Sequence, residues 1–143
     1  MSEARVLIVD DEEEFLEAVA ERLENRGFKV STARHGLEAL DVVGKDVYDA
    51  IVLDMMLPGM DGIETLKKIR ENHPNLQVIL LTGHATVERG LEAIKLGAID
   101  FLEKPADIET LTKKIQEAKA KKLLLVDQER EEAVKETLLK YGW

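Results

Sequence analysis

Four short apolar runs, set between segments of helical period, restrict this chain to one kind of architecture. They are Val6-Leu7-Ile8-Val9, Ile51-Val52-Leu53, Val78-Ile79-Leu80-Leu81 and Ile99-Asp100-Phe101-Leu102. Runs this short and this rich in branched residues suit strands buried on both faces. Strands that alternate with helices are the pattern of a parallel sheet covered on both sides. In such a sheet all strands end at one edge, where open α/β folds bind ligands. Directly behind the first three runs stand Asp10-Asp11, Asp54 and Thr82, and just past the fourth stands Lys104. The expected fold therefore gathers three carboxylates, a hydroxyl and an ammonium at one place.

The intervening segments carry their own signals. A helix over about 12–26 has the apolar stripe Phe15, Leu16, Val19 and Leu23, and Gly27 is placed to end it. Residues 28–32 form a second, less apolar strand, expected at an edge of the sheet. A short helix at 37–43 is expected to stop at Gly44. Residues 50–53 form the third strand, short and apolar enough for the centre. Pro58-Gly59 and Asp61-Gly62 mark 55–62 as a loop, and Ile63, Leu66 and Ile69 give the next helix its stripe. Residues 77–81 are the fourth strand. Val87, Leu91 and Ile94 mark a further helix that contains Gly90, at a cost of roughly 1 kcal/mol relative to alanine. That helix should be the softest. Residues 99–102 are the fifth strand, and Asp107 can cap a last helix carrying Ile108, Leu111, Ile115 and Ala118.

Five β/α units account for residues 4–121, which are read as one domain, with 122–143 as a C-terminal helical extension. Within the extension, Lys122-Leu123-Leu124-Leu125-Val126-Asp127 echoes Arg5-Val6-Leu7-Ile8-Val9-Asp10. The echo is either the start of a second copy or a chance match in a Lys, Glu, Leu and Ala-rich helix, and the composition favours the match by chance. Val134, Leu138 and Tyr141 form one apolar stripe along that helix. Tyr141 and Trp143 read as packing or interface residues.

Composition narrows the function. The chain has 20 basic and 29 acidic residues and a net charge of −9, which argues against direct nucleic-acid binding and against anionic membrane surfaces. It has no cysteine, so disulfides and thiolate metal sites are excluded. The first residues lack the basic and apolar regions of a signal peptide and no apolar run reaches membrane-spanning length, so a cytoplasmic location is expected. His35, His73 and His84 are scattered without paired metal-ligand spacing, and Met55, Met56 and Met60 read as loop packing.

The chemistry of the gathered groups is specific. Asp10, Asp11 and Asp54 offer oxygen ligands to Mg²⁺, which binds through one or two carboxylates and keeps waters and phosphate oxygens. Asp54 ends the most buried strand and is assigned as a nucleophile toward phosphorus, the first-strand pair as metal holders. Phosphoryl transfer is governed by positioning and charge neutralisation. The metal, the Lys104 ammonium and the Thr82 hydroxyl can each cover one phosphoryl oxygen.

Asp10-Asp11, Asp54, Pro58-Gly59-Met60-Asp61-Gly62, Thr82-Gly83-His84-Ala85 and Phe101-Leu102-Glu103-Lys104-Pro105 resemble the receiver domain of bacterial response regulators. The similarity extends from residue 4 to about 120. It implies a flavodoxin-like, doubly wound, five-stranded parallel sheet of order 2-1-3-4-5 with five flanking helices. It also implies phosphoryl transfer to Asp54 from a sensor histidine kinase, with Mg²⁺ held by Asp10, Asp11, Asp54 and the backbone carbonyl of Met55. Thr82 and Lys104 would contact the phosphoryl oxygens, Thr82 and Phe101 would form the switch, and the Lys104–Pro105 bond would be cis. Such receivers often pair through the face made by the fourth helix, fifth strand and fifth helix, so a homodimer supported by the tail is a further expectation.

Three other readings compete. A flavin carrier of this fold would need a Ser/Thr/Gly-rich cradle after the first strand, where this chain has five successive carboxylates from Asp10 to Glu14. A dehalogenase-type phosphohydrolase would carry a second acid two residues after the nucleophile, where Met56 stands. The chain is otherwise a piece of a larger regulator whose effector lies beyond it.

Overall fold

In a computed structural model, which describes residues 4–83, 87–105 and 107–142 (for Val87, the backbone only), strands and helices alternate along the chain. They are β1 (Arg5–Val9), α1 (Glu13–Glu24), β2 (Lys29–Ala33), α2 (Gly36–Lys45) and β3 (Ala50–Asp54). There follow α3 (Gly62–Asn72), β4 (Gln77–Thr82), α4 (Val87–Lys95), β5 (Asp100–Glu103) and α5 (Ile108–Lys140). All strand pairs are parallel and the order is β2-β1-β3-β4-β5. β2 lies at an edge, as its weaker apolar pattern implied.

The sheet is buried on both sides. Leu7, Val9, Ile51, Leu53, Val78 and Leu80 face one core shared with α2, α3 and α4. Val6, Ile8, Ala50, Val52, Ile79 and Leu81 face the other, shared with α1 and α5. The two sets alternate residue by residue because successive strand side chains point to opposite faces. β3 and β4 are buried along their whole lengths. The order reverses at β1, from which the chain continues to β2 on one side and β3 on the other. The crevice at this switch point is bounded by Asp10 and Asp54, which follow or end those strands in the register Val9 to Leu53.

Most helix boundaries have a local cause. α1 ends before Gly27, whose φ of +91° few other residues adopt. Asp61 and Asp107 cap α3 and α5 by accepting from the Glu64 and Thr110 amides. His35 caps α2, its Nδ1 accepting from the Glu38 amide. His73 ends α3, its amide bonded to Ile69 O; His84 lies outside the described residues.

Two expectations are corrected. α2 does not stop at Gly44 but continues to Lys45, with Asp46 as its C-cap; Gly44 stays out of the left-handed region that would end a helix. On α4, Leu91 and Ile94, which helped to reveal the helix, do not fill its buried face. Leu91 is 57% and Ile94 48% exposed, while Ala93 is fully buried. Small residues face inward because α4 lies close to the sheet: a Cβ on Gly90 would come within 3.1 Å of the Phe101 ring.

The echo of β1 in residues 122–126 is helical, so it does not begin a second sheet. α5 spans 33 residues, about 50 Å at 1.5 Å per residue. Its first turns bury Leu111, Ile115 and Ala118. At its exit Lys122 donates to the Tyr48 carbonyl at 2.6 Å, and further on Asn75 donates to Glu129. From Asp127 onward the described residues are exposed, Val134, Leu138 and Tyr141 included. Trp143 lies outside the described residues.

Candidate functional site

Each acidic group reaches the sheet edge because a buried strand ends there. Asp10 leaves β1 with its amide still bonded to Ala33 O, so its side chain is fixed at the crevice, 1% exposed. Its Oδ1 accepts from the Glu12 amide at 2.9 Å. Asp54 is the last residue of β3, 4% exposed, and its Oδ1 accepts from the Met56 amide. Asp11 is exposed at the mouth. Carboxylate oxygens of Asp10, Asp11 and Asp54 lie within 4.8 Å of one another.

Lys104 crosses from the end of β5 to meet them. Its Nζ is 2.5 Å from Asp10 Oδ2, and 3.6 Å from both Asp54 Oδ2 and Glu12 Oε1. It also stands 4.4 Å from the centroid of the Phe15 ring. Burial lowers the Lys104 pKa, but the Asp10 hydrogen bond and the charges of Asp10, Asp54 and Glu12 outweigh burial, so it stays above its ordinary 10.5. Burial, and then the charge of Asp10, push the Asp54 carboxyl up from 3.8 to about 6; Asp11 adds to the rise, and the Met56 amide and Lys104 oppose it. One ammonium faces three carboxylates, so the cluster is short of positive charge. An all-oxygen donor set with that deficit suits a hard divalent cation.

Thr82 ends β4, buried, and its carbonyl accepts from the Lys104 amide at 2.7 Å. By strand alternation it shares a face with Leu80, which belongs to the same core that Phe101 packs against. Phe101 is half-buried against Gly90. Both backbone polar groups of Met55 are bonded, its N–H to Leu81 O and its C=O to the Gly62 amide. The Lys104–Pro105 bond is cis. His84 and Ala85 of the quoted motif lie outside the described residues.

The structure thus brings together Asp10, Asp11, Asp54 and Lys104, with Thr82 and Met55 adjoining through backbone contacts and Phe101 set back against α4. The sequence reading missed two neighbours. Phe15 was assigned to the α1 core stripe, yet its ring also borders the Lys104 ammonium. Glu12 figures in the sequence only as the start of the first helix, yet it lies within ion-pair distance of Lys104. Their signal is helical: Phe15 follows Glu12, the N-cap of the helix that starts at the site, by three residues.

The acidic cluster and its lysine thus stand at the switch point of a 2-1-3-4-5 parallel sheet. The chain belongs to the response regulator receiver domain family, whose sequence profile matches residues 6–116. It is 37% identical over 115 residues to the transcriptional regulatory protein ZraR of Klebsiella oxytoca, a match covering 80% of this chain and 26% of that protein. It is 40% identical over 107 residues to a putative NtrX-like response regulator of Rickettsia conorii, covering 73% and 23%. The chain therefore spans about a quarter of these relatives. Among solved structures, a receiver domain from Clostridium thermocellum superposes with a TM-score of 0.81 at 33% identity, covering 85% of this chain and 98% of that one. NtrX from Brucella abortus matches with a TM-score of 0.81 at 32% identity, covering 90% of this chain and 30% of that one. No helix among the described residues is long and apolar enough to cross a membrane.

Proposed function

We propose that residues 4–121 are a phosphoryl-accepting switch of the cytoplasm, that Asp54 takes the phosphoryl group from a sensor histidine kinase, and that the output is binding rather than turnover of a free substrate. The observation that carries this reading is the cluster of Asp10, Asp11 and Asp54 oxygens within 4.8 Å, with Lys104 bridging Asp10 and Asp54. An Asp54 oxygen attacks phosphorus, forming an O–P bond as the phosphohistidine N–P bond breaks and the imidazole leaves with the electron pair. Asp10, Asp11 and Asp54 would hold Mg²⁺, which when bound supplies positive charge to the phosphoryl oxygens. Lys104 needs to move little to reach them, because its Nζ already lies 3.6 Å from Asp54.

Thr82 would donate its hydroxyl to a third phosphoryl oxygen. That contact favours one of two arrangements of the β4–α4 segment and biases the packing of Phe101 on Gly90. The small contact residues Gly90 and Ala93 leave α4 little side-chain interlock with the sheet, which suits an element that shifts.

Asp11→Asn is the direct test of the metal assignment. Asp11 is exposed, so the fold should be unchanged. Mg²⁺ affinity by titration calorimetry should fall by at least the roughly 10–100-fold that even an outer partner is worth to a metal site, and acetyl phosphate should no longer label the chain. Unchanged labelling would remove Asp11 from the site.

The proposed partner of the exposed surface is a second copy, met through α4, β5 and α5 and through the helical extension, 122–143. Leu91, Ile94, Val134, Leu138 and Tyr141 are exposed apolar residues on those elements. In a longer protein α5 would lead from the receiver to an effector module, where any DNA reading would reside. Removing residues 123–143 should convert a dimer to a monomer by light scattering while Asp54 still takes label. A full chain that is monomeric with and without beryllofluoride would contradict the dimer.

A further inference from the structure

The first turn of α1 presents more than acidic groups to Lys104. Lys104 Nζ stands 4.4 Å from the centroid of the Phe15 ring, well inside the roughly 6 Å at which a ring face attracts a cation. The other two such pairs among the described residues, Arg5 with Tyr48 and Lys140 with Tyr141, are looser, at 5.6 and 5.8 Å. Lys104 is also well enclosed, its side chain 15% exposed against 40% for Arg5. The attraction of a ring for a cation grows as water is excluded. Phe15 is itself half-buried against the core shared with α1 and α5, so packing explains an apolar residue here. Packing does not explain an aromatic face beside an ammonium.

The surroundings of Lys104 give that face a role. An ammonium has three donors and no acceptor. Asp10 takes one of them at 2.5 Å. Asp54 and Glu12 stand off at 3.6 Å, beyond hydrogen-bond distance. Asp10 is therefore the main anchor of Lys104, and it is also one of the three carboxylates that could hold a cation. A divalent ion among those carboxylates competes with Lys104 for Asp10 and repels the ammonium. A lysine stem is flexible, so an ammonium that loses its anchor can swing toward solvent.

We propose that Phe15 is a positioning residue for phosphoryl transfer: its ring face retains the Lys104 ammonium in the crevice once Asp10 is shared with a divalent cation. The ring carries no charge and is no part of the carboxylate cluster, so its hold on Lys104 persists when the ion binds. Lys104 then stays at hand for the phosphoryl oxygens on Asp54. This inference rests on the phosphoryl reading and deepens it, by giving the lysine an anchor for which the metal does not compete. A leucine would fill the same core without supplying that anchor.

The experiment compares the unmodified chain with Phe15→Leu and with a chain carrying 3,4,5-trifluorophenylalanine at position 15 alone. Fluorination keeps the ring's shape and withdraws negative charge from its face. Labelling by acetyl phosphate at saturating Mg²⁺ should slow by about threefold or more in both, while Mg²⁺ affinity by titration calorimetry stays unchanged because all three carboxylates remain. Nuclear magnetic resonance reads the contact itself. The Lys104 Cε protons, held over the ring, should resonate upfield of those of a solvated lysine. They should stay upfield when Mg²⁺ saturates the site, and return to the ordinary position in Phe15→Leu. The proposal is overturned by an unchanged labelling rate in the fluorinated chain, by Mg²⁺ affinity that falls in step with labelling, or by an upfield shift that is absent or vanishes with Mg²⁺. Should Phe15→Leu not fold, the fluorinated chain and the resonances of the unmodified chain decide. An unmodified chain that takes no label overturns the phosphoryl reading itself, and this inference with it.

Discussion

In metal-free buffer at neutral pH, Asp54→Asn is expected to unfold at a higher temperature than the unmodified chain. Burial and the Asp10 charge raise the Asp54 pKa from 3.8 to about 6. The folded state therefore binds this proton more tightly than the unfolded state does. The associated stability is complete below the unfolded value and is lost as pH rises through about 6. At neutral pH the ionised Asp54 thus costs about 3 kcal/mol, from roughly two units at 1.36 kcal/mol each. An amide removes the charge while keeping the shape. For a chain of this size the gain corresponds to roughly 6–12 °C in Tm. The difference between variant and unmodified chain should shrink as pH falls from 6 toward 4, because protonation then does what the substitution does. Saturating Mg²⁺ should reverse its sign, since the unmodified chain alone keeps all three carboxylates for the ion. Thermal melts of both proteins across that pH range, with chelator and with Mg²⁺, check each part. A variant no more stable than the unmodified chain at neutral pH would mean that Asp54 is not strained by its surroundings.

Much of this fold was legible because the sheet is buried on both faces. Strands such as β3 and β4 must then be apolar throughout, and that pattern shows in the residues themselves. The site was legible for the same reason: an Asp or Thr ending an apolar run is placed by the strand, whatever its neighbours. Less was legible where tertiary contact decides. Leu91 and Ile94 located α4 but not its buried face, because the sheet side is chosen by how closely Gly90 and Ala93 allow the helix to approach. Gly44 was read as a stop, yet a glycine ends a helix only if it turns left-handed, and here it does not. The contacts of Lys104 with Phe15 and Glu12 needed the three-dimensional path of Lys104 over the first turn of α1. The closeness of Gly62 to Met55 likewise depends on how the loop between them folds back, which no spacing rule describes. The tail was legible as helix but not in its direction, which is set at the exit by Lys122 on Tyr48 and by Asn75 on Glu129.

The substitution that relieves the cluster should also end its chemistry. An asparagine amide does not attack phosphorus, and among the described residues the one other carboxylate buried beside Lys104 is Asp10, at 1% exposure and 2.5 Å. Asp10 is as buried but is already committed to Lys104 and to the Glu12 amide. Loss of label should therefore be complete in Asp54→Asn rather than partial, and should occur in a protein that is folded and, without metal, more stable than the original. The most direct measurement is intact-mass spectrometry after incubation with acetyl phosphate and Mg²⁺, followed by peptide mapping under acidic conditions that preserve acyl phosphates. The account predicts a mass gain of a single phosphoryl group, located on the peptide containing Asp54, absent in chelator and absent in Asp54→Asn. A stoichiometric label that persists in Asp54→Asn, or that maps to another residue in the unmodified chain, would contradict it.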